Sequence, residues 1–240
     1  MAGYSPAEES RRLREDKTDN SGRTGFARDR DRILYSSWFR ALAGKTQVVS
    51  TSELGRFHTR LTHSLKVAQL GRVLAKRLQC DARNGDGPDP DVVEAACLAQ
   101  DIGHAPFGHA GEEELCKVMD ELSPHGDGFE GNAQTFRVVT HLTPKSGERK
   151  QELSFGLNLT RATLRALVKY PWQRGESPDL TREKKWSAYS PDSEMLQWAL
   201  DGRSGESNGP IEEQIMDLCV PRIASRAVTS RVARLALRPR

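Results

Sequence analysis

The sequence predicts an all-α fold, and three observations carry that reading. Apolar residues of the middle segment (Val67, Leu70, Val73, Leu74, Leu78) recur at three- and four-residue steps, the spacing of one helix face. The stretch Asp91–Asp101 is apolar nearly all round, as a helix buried on every side must be. No alternating strand pattern of any length and no internal repeat occurs.

Taken in order, Met1–Thr24 is charged and has few apolar anchors, which predicts a mobile segment with a docking point near Tyr4. Arg28–Ala43 reads as the first helix, with Ile33, Leu34, Phe39 and Leu42 in its stripe and Gly44 as its stop. Thr62–Leu78 is the clearest helix, and Asp81–Pro90, with two Gly and two Pro, is a loop. After the buried helix, a short loop over Gly103–Gly108 leads to a helix near His109–Leu122. Gly131–His141 is helical with Phe136 and Val139 inward. Thr160 can cap a helix running to Tyr170 and stopped by Pro171. Ser190-Pro191 opens another with Pro at its first position, and Pro210 starts a last amphipathic segment through Leu218. The expected organisation is a mobile segment 1–24, a helical domain over 25–218 and a basic tail over 219–240.

Composition narrows the function classes. The 240 residues are 36% hydrophobic and 29% charged, with a mean hydropathy of −0.65. No run approaches the ~20 apolar residues that a membrane span needs. Met1–Asn20 has no apolar core of a secretory signal. Cys80, Cys97, Cys116 and Cys219 form no CxxC pair, so reduced thiols in the cytoplasm are expected. The net charge of +3 invites a nucleic-acid reading, but Val220–Arg240 holds six arginines and no Asp, Glu or Lys. Removing those six from the 36 Lys+Arg leaves 30 against 33 Asp+Glu, so the body has no basic bias and nucleic acid is not the expected partner.

Chemistry-bearing residues concentrate in one region. Five of the six histidines (His58, His63, His104, His109, His125) lie between Arg56 and His125. Asp101 ends the buried helix, where the helix dipole disfavours a carboxylate and a cation is needed to hold it. His104 and His109 stand five apart across a Gly/Pro loop, and Glu112 lies three residues beyond His109 on the same helix face. By spacing alone these residues suit a mononuclear metal site with hard-to-borderline ligands, or a set of capping and core histidines with no metal at all.

The segments RDRDRILYSSWFRALAGKTQV, RFHTRLTHSLKVAQLGR, AQDIGHAPFGHAGEEEL, GFEGNAQTFRVVTHL and GLNLTRATLRALVKYPW, in that order, resemble the deoxyguanosinetriphosphate triphosphohydrolase (dGTPase) family of the HD-domain superfamily. KKWSAY and EEQIMD resemble it more weakly. The resemblance runs from about Arg28 to Asp217 and implies an HD-domain helical bundle. It also implies hydrolysis of a deoxynucleoside triphosphate, with dGTP as first guess, to the deoxynucleoside and tripolyphosphate. A divalent metal, Mg²⁺ or Mn²⁺, held by a His, a His-Asp doublet and a later Asp, would serve as Lewis acid. By that resemblance His63 is the first metal ligand and Asp101 the third, with Gln100 at the second, histidine position. His109 is the catalytic histidine with Glu112 as its carboxylate partner, and His104 lies near the phosphates. Arg60 meets phosphate oxygens, Gln47 lies near the sugar or base, and Asn132 belongs to a signature in the substrate site. A homo-oligomer is implied too.

Two departures from the family stand out. The His-Asp doublet reads Gln100-Asp101, and an amide oxygen is a poorer partner than an imidazole for Mn²⁺-like ions. Beyond Asp217 no acid follows, where the family continues into a helix bearing an Asp pair. The composition of that stretch suggests a frameshift near Leu218. The expectation is a dGTPase-like domain, C-terminally truncated relative to the family, with an incomplete metal site and impaired turnover. The alternative is a catalytically inactive nucleotide-binding or regulatory partner.

Overall fold

A computed structural model describes residues 4–13, 15, 22–45, 59–81, 87–143, 156–178 and 180–201. His58, Gln47, Asp217, the amphipathic segment 210–218 and the basic tail 219–240 lie outside the described residues. Eight α-helices are present among those described: α1 (Gly25–Leu34), α2 (Ser37–Ala41), α3 (Arg60–Asp81), α4 (Pro90–Ala99), α5 (Gly108–Leu122), α6 (Gly131–Arg137), α7 (Arg161–Leu167) and α8 (Ser193–Leu200). The only extended pairing among those residues is a single antiparallel bridge between Arg11 and Thr160.

α4 is the centre of the domain. Val92, Val93, Ala95, Ala96, Cys97, Leu98 and Ala99 are all buried, and α1, α3 and α7 pack around them. Asp89 caps α4, accepting from the backbone N–H of Asp91 at 2.7 Å, and Pro90 supplies the preset first turn. Capping also explains where three other helices begin. Thr24 caps α1, Glu130 caps α6 and Thr160 caps α7.

Ser36 corrects one element. Its hydroxyl accepts from the Phe39 N–H at 3.1 Å, which starts a new helix and divides the predicted Arg28–Ala43 helix into α1 and α2. α6 passes at Val138 into a wider, π-type turn through Leu142, within the predicted Gly131–His141 span. Phe136 and Val139 are buried there. α7 ends at Leu167 rather than Tyr170, because the backbone of Val168 is already extended, with ψ of 92°. Ser190–Asp192 forms a single tight 3₁₀ turn before α8.

The docking near Tyr4 continues along the chain. The Tyr4 ring meets Phe26 edge-on with centroids 4.9 Å apart, and its hydroxyl accepts from the Asp89 N–H at 3.2 Å. The carbonyls of Glu8 and Ser10 accept from the backbone N–H groups of Ala162 and Arg161. Arg11 completes the join by pairing with Asp29, which is fully buried and also accepts from the N–H (2.9 Å) and hydroxyl (2.6 Å) of Thr160. Truncating Asp29 leaves the buried Thr160 N–H unpaired and takes the nearest counter-charge from the buried Arg11 guanidinium, which keeps the carbonyls of Asn158 and Gly25 and the more distant Glu15 at 3.7 Å. Asp29→Ala is expected to cost about 3–5 kcal/mol, seen in thermal melts as a fall in Tm of roughly 10 °C.

Candidate active site

The site forms where α4 ends. The chain turns through Asp101–Gly103, with the Ile102 N–H bonded to the Ala99 carbonyl at 3.0 Å and the His104 N–H to the Asp101 carbonyl at 3.3 Å. The Gly103 N–H donates to Thr135 Oγ1 at 2.9 Å, and the absent side chain of Gly103 lets the backbone of α6 press against the turn. Lys45 ties the turn from the opposite direction, donating to the carbonyls of Ile102 (2.6 Å) and His104 (2.8 Å). Burial pulls the Lys45 ammonium below its ordinary value; the nearby Arg60 charge adds to this and Asp101 opposes it.

Asp101 is buried and has the cation that its position demands. Arg60 Nη1, at the start of α3, lies 3.5 Å from Asp101 Oδ2, and His104 Nε2 lies 3.5 Å from Oδ1. His63 stands one turn along α3 from Arg60. The chain then reverses through Phe107 and Gly108, both left-handed with φ of 64° and 62°. For Phe107 that is a costly backbone conformation, of a kind that clusters at functional sites.

Glu112 joins the two imidazoles. Its Oε1 bonds to His104 Nδ1 and its Oε2 lies 3.2 Å from His109 Nδ1. The Glu112 side chain is 7% exposed, whereas that of His109 is 79% exposed, so the acid is buried beneath a ring that faces solvent. Burial pushes the Glu112 carboxyl upward, but hydrogen bonds from His104 and His109 and the charges of His104 and Lys185 outweigh it and hold it at about 2. Glu15, held against burial chiefly by Arg32, is likewise at about 2. Both values are depressed from 4.5, so both groups stabilise the fold above that pH. Their contribution is lost as pH falls from about 4.5 towards about 2, and a series of melts across that window is expected to show Tm dropping steeply.

Sequence reasoning brought Arg60, Asp101, His104, His109 and Glu112 together, and the structure does so as well. His125 is exposed in the loop after α5, while Asn132 sits in the α6 cap, its amide nitrogen donating to Glu130 at 2.6 Å. The expected pairing of Glu112 with His109 is present but shared, since His104 holds the other oxygen. Lys45, Thr135, Glu130, Gly131 and Lys185 were missed. A Cβ on Gly131 would collide with His104 Nδ1 and Glu112 Oε1, so glycine is required where α6 starts against the pair. The adjoining GFEGNAQ and KKWSAY segments were the available signals.

The family resemblance implies a divalent ion held beside Asp101. Among the described residues no group of three His, Cys, Asp or Glu side chains converges to hold a metal. Gln100 presents a buried amide nitrogen with no hydrogen-bond partner, and the adjacent carboxylate, Asp101, already faces the Arg60 guanidinium. Among the described residues, one imidazole, one amide and one acid already faced by a guanidinium do not fit a tightly held Mg²⁺ or Mn²⁺.

No helix among the described residues is long and apolar enough to cross a membrane. A family model described as "HD domain" matches residues 60–172. A deoxyguanosinetriphosphate triphosphohydrolase-like protein of Streptomyces coelicolor is 46% identical over 220 residues, covering 89% of this chain and 48% of that protein. One of the same description from Bifidobacterium longum is 43% identical over 219 residues, covering 90% of this chain and 43% of the relative. One from Corynebacterium glutamicum is 46% identical over 195 residues, covering 81% and 42%. The chain therefore spans about half the length of the curated relatives it matches. The chain thus carries an HD-domain match over the segment that builds this site and is similar, across most of its length, to dGTPase-like proteins.

Proposed function

We propose that this site binds a deoxynucleoside triphosphate, dGTP in the first instance, through its phosphates, and that it is built for hydrolysis to deoxynucleoside and tripolyphosphate. The observation that supports this most is Glu112 holding the Nδ1 atoms of two imidazoles at once. In the neutral His109 ring, an Nδ1–H directed at Glu112 leaves Nε2 as the proton acceptor on the exposed side. Arg60 and His104 offer cationic and hydrogen-bonding partners for phosphate oxygens beside it. Among the described residues the donor set around Asp101 falls short of a divalent-metal site, and on this reading turnover is impaired.

A second reading rests on Gln100. With its amide unpartnered where the family resemblance places an imidazole ligand, the site retains nucleotide without cleaving it. The two readings separate in one experiment on the purified chain. Equilibrium binding of dGTP is measured beside tripolyphosphate release with Mn²⁺ present. Binding with slow release supports the first reading, and binding without release the second. Absence of binding to a folded chain overturns both.

A further inference from the structure

Lys185 lies beyond the segment matched by the HD-domain model, yet its side chain enters the same site. Its Nζ is 3.6 Å from Glu112 Oε2 and 3.3 Å from Glu130 Oε1. Both acids are buried, Glu112 at 6% exposure and Glu130 at 2%. Each is fixed by its own helix: Glu112 by the two imidazoles on and before α5, Glu130 by the first N–H groups of α6, those of Asn132 (2.5 Å) and Ala133 (3.0 Å). Two carboxyl groups in one buried region disfavour each other's charge, and an ammonium within ion-pair range of both offsets that.

The backbone aims this ammonium. The Trp172 indole N–H donates to the Lys185 carbonyl at 2.6 Å, and the Lys185 N–H bonds to the Arg182 carbonyl at 2.9 Å. Two residues on, the Ser187 hydroxyl accepts from the Tyr170 N–H at 2.9 Å. Beneath this lacing Trp186 and Tyr189 pack with Ala133 in a small second core, and the Tyr189 hydroxyl donates to the Glu130 carbonyl at 3.3 Å. The segment carrying Lys185 is thus anchored to α6 and to residues 170–172 independently of its charge.

We propose that Lys185 is a positioning residue of this site: its ammonium links the buried carboxylates of Glu112 and Glu130 and so fixes Glu112 between His104 and His109. The proposal deepens the nucleotide-site reading, but its test needs no substrate, so failure of one is distinct from failure of the other.

The test is a ¹³C NMR titration of the Glu112 carboxyl carbon in the full chain, with circular dichroism as the check of folding. In the parent the signal is expected to hold its ionised position down to about pH 3, consistent with a carboxyl at about 2. In Lys185→Met the midpoint is expected to rise by about one pH unit, and Lys185→Arg is expected to restore it. A merely structural lysine would lower Tm and leave that titration in place, and this result overturns the proposal. Should the methionine variant fail to fold, Lys185→Gln carries the same expectation with a polar side chain. An unmoved Glu112 signal in the folded glutamine variant overturns it equally.

Discussion

Replacing Glu112 with Gln is expected to lower tripolyphosphate release by about 10²–10⁴-fold, the usual range for loss of a positioned acid/base group. The carboxylate offers acceptors to both rings, at His104 Nδ1 and His109 Nδ1. An amide has one oxygen and one NH₂ group, so it can accept from one imidazole only and presents donors to the other. The ring facing the NH₂ must change tautomer or turn away. When that ring is His109 its Nε2 ceases to be the acceptor in its present direction, and when it is His104 the carboxamide loses the second anchor that holds it against His109. The same substitution leaves Arg60 beside Asp101, so dGTP affinity is expected to stay within about tenfold, near 1.4 kcal/mol. The rates are measured in the parent and in the Gln100→His background, to give a measurable baseline in at least one. Release within a factor of ten of the baseline from a folded Glu112→Gln protein would show that the imidazole pair does not transfer the proton.

Much of this site was legible because its residues are close in sequence. Asp101, His104, His109 and Glu112 fall within one turn-and-helix unit, where spacing reports geometry directly. Asp101 was readable for a second reason. A carboxylate at a helix C-terminus among apolar neighbours requires a cation, and Arg60 and His104 are there. The α4 core was legible from composition alone, since a helix apolar all round has only one place to go.

What was not legible depends on contacts between distant segments. Lys185 reaches Glu112 and Glu130 from residues far along the chain, and the weak KKWSAY resemblance around it does not say which acids its ammonium meets. Lys45 is equally anonymous until the Ile102 and His104 carbonyls are placed before it. The division of the first helix turned on Ser36, a hydroxyl that competes for a backbone N–H within an otherwise continuous apolar stripe. Sharing of Glu112 between two rings was missed because spacing on α5 shows His109 but not the fold-back of His104.

Gln100→His is expected to change metal binding more than any other single substitution. The parent amide nitrogen is buried with no hydrogen-bond partner, so little in the structure is lost when it is replaced. The residue immediately follows α4, with its carbonyl accepting from Thr135 Oγ1 at 3.3 Å, so its backbone is fixed and a new ring starts from a defined position. An imidazole supplies the nitrogen donor that borderline ions such as Mn²⁺ prefer over an amide. Mn²⁺ affinity, followed by loss of the free-ion EPR signal, is expected to tighten at least about tenfold, which corresponds to 1.4 kcal/mol. If the folded variant binds Mn²⁺ no better than the parent, residue 100 does not limit the site, and the shortfall lies in donors outside the described residues. If the parent already takes up Mn²⁺ tightly, the mismatch between its donor set and a divalent ion is refuted. A gain in Mn²⁺ affinity accompanied by tripolyphosphate release would make residue 100 the switch between a chain that holds nucleotide and one that cleaves it.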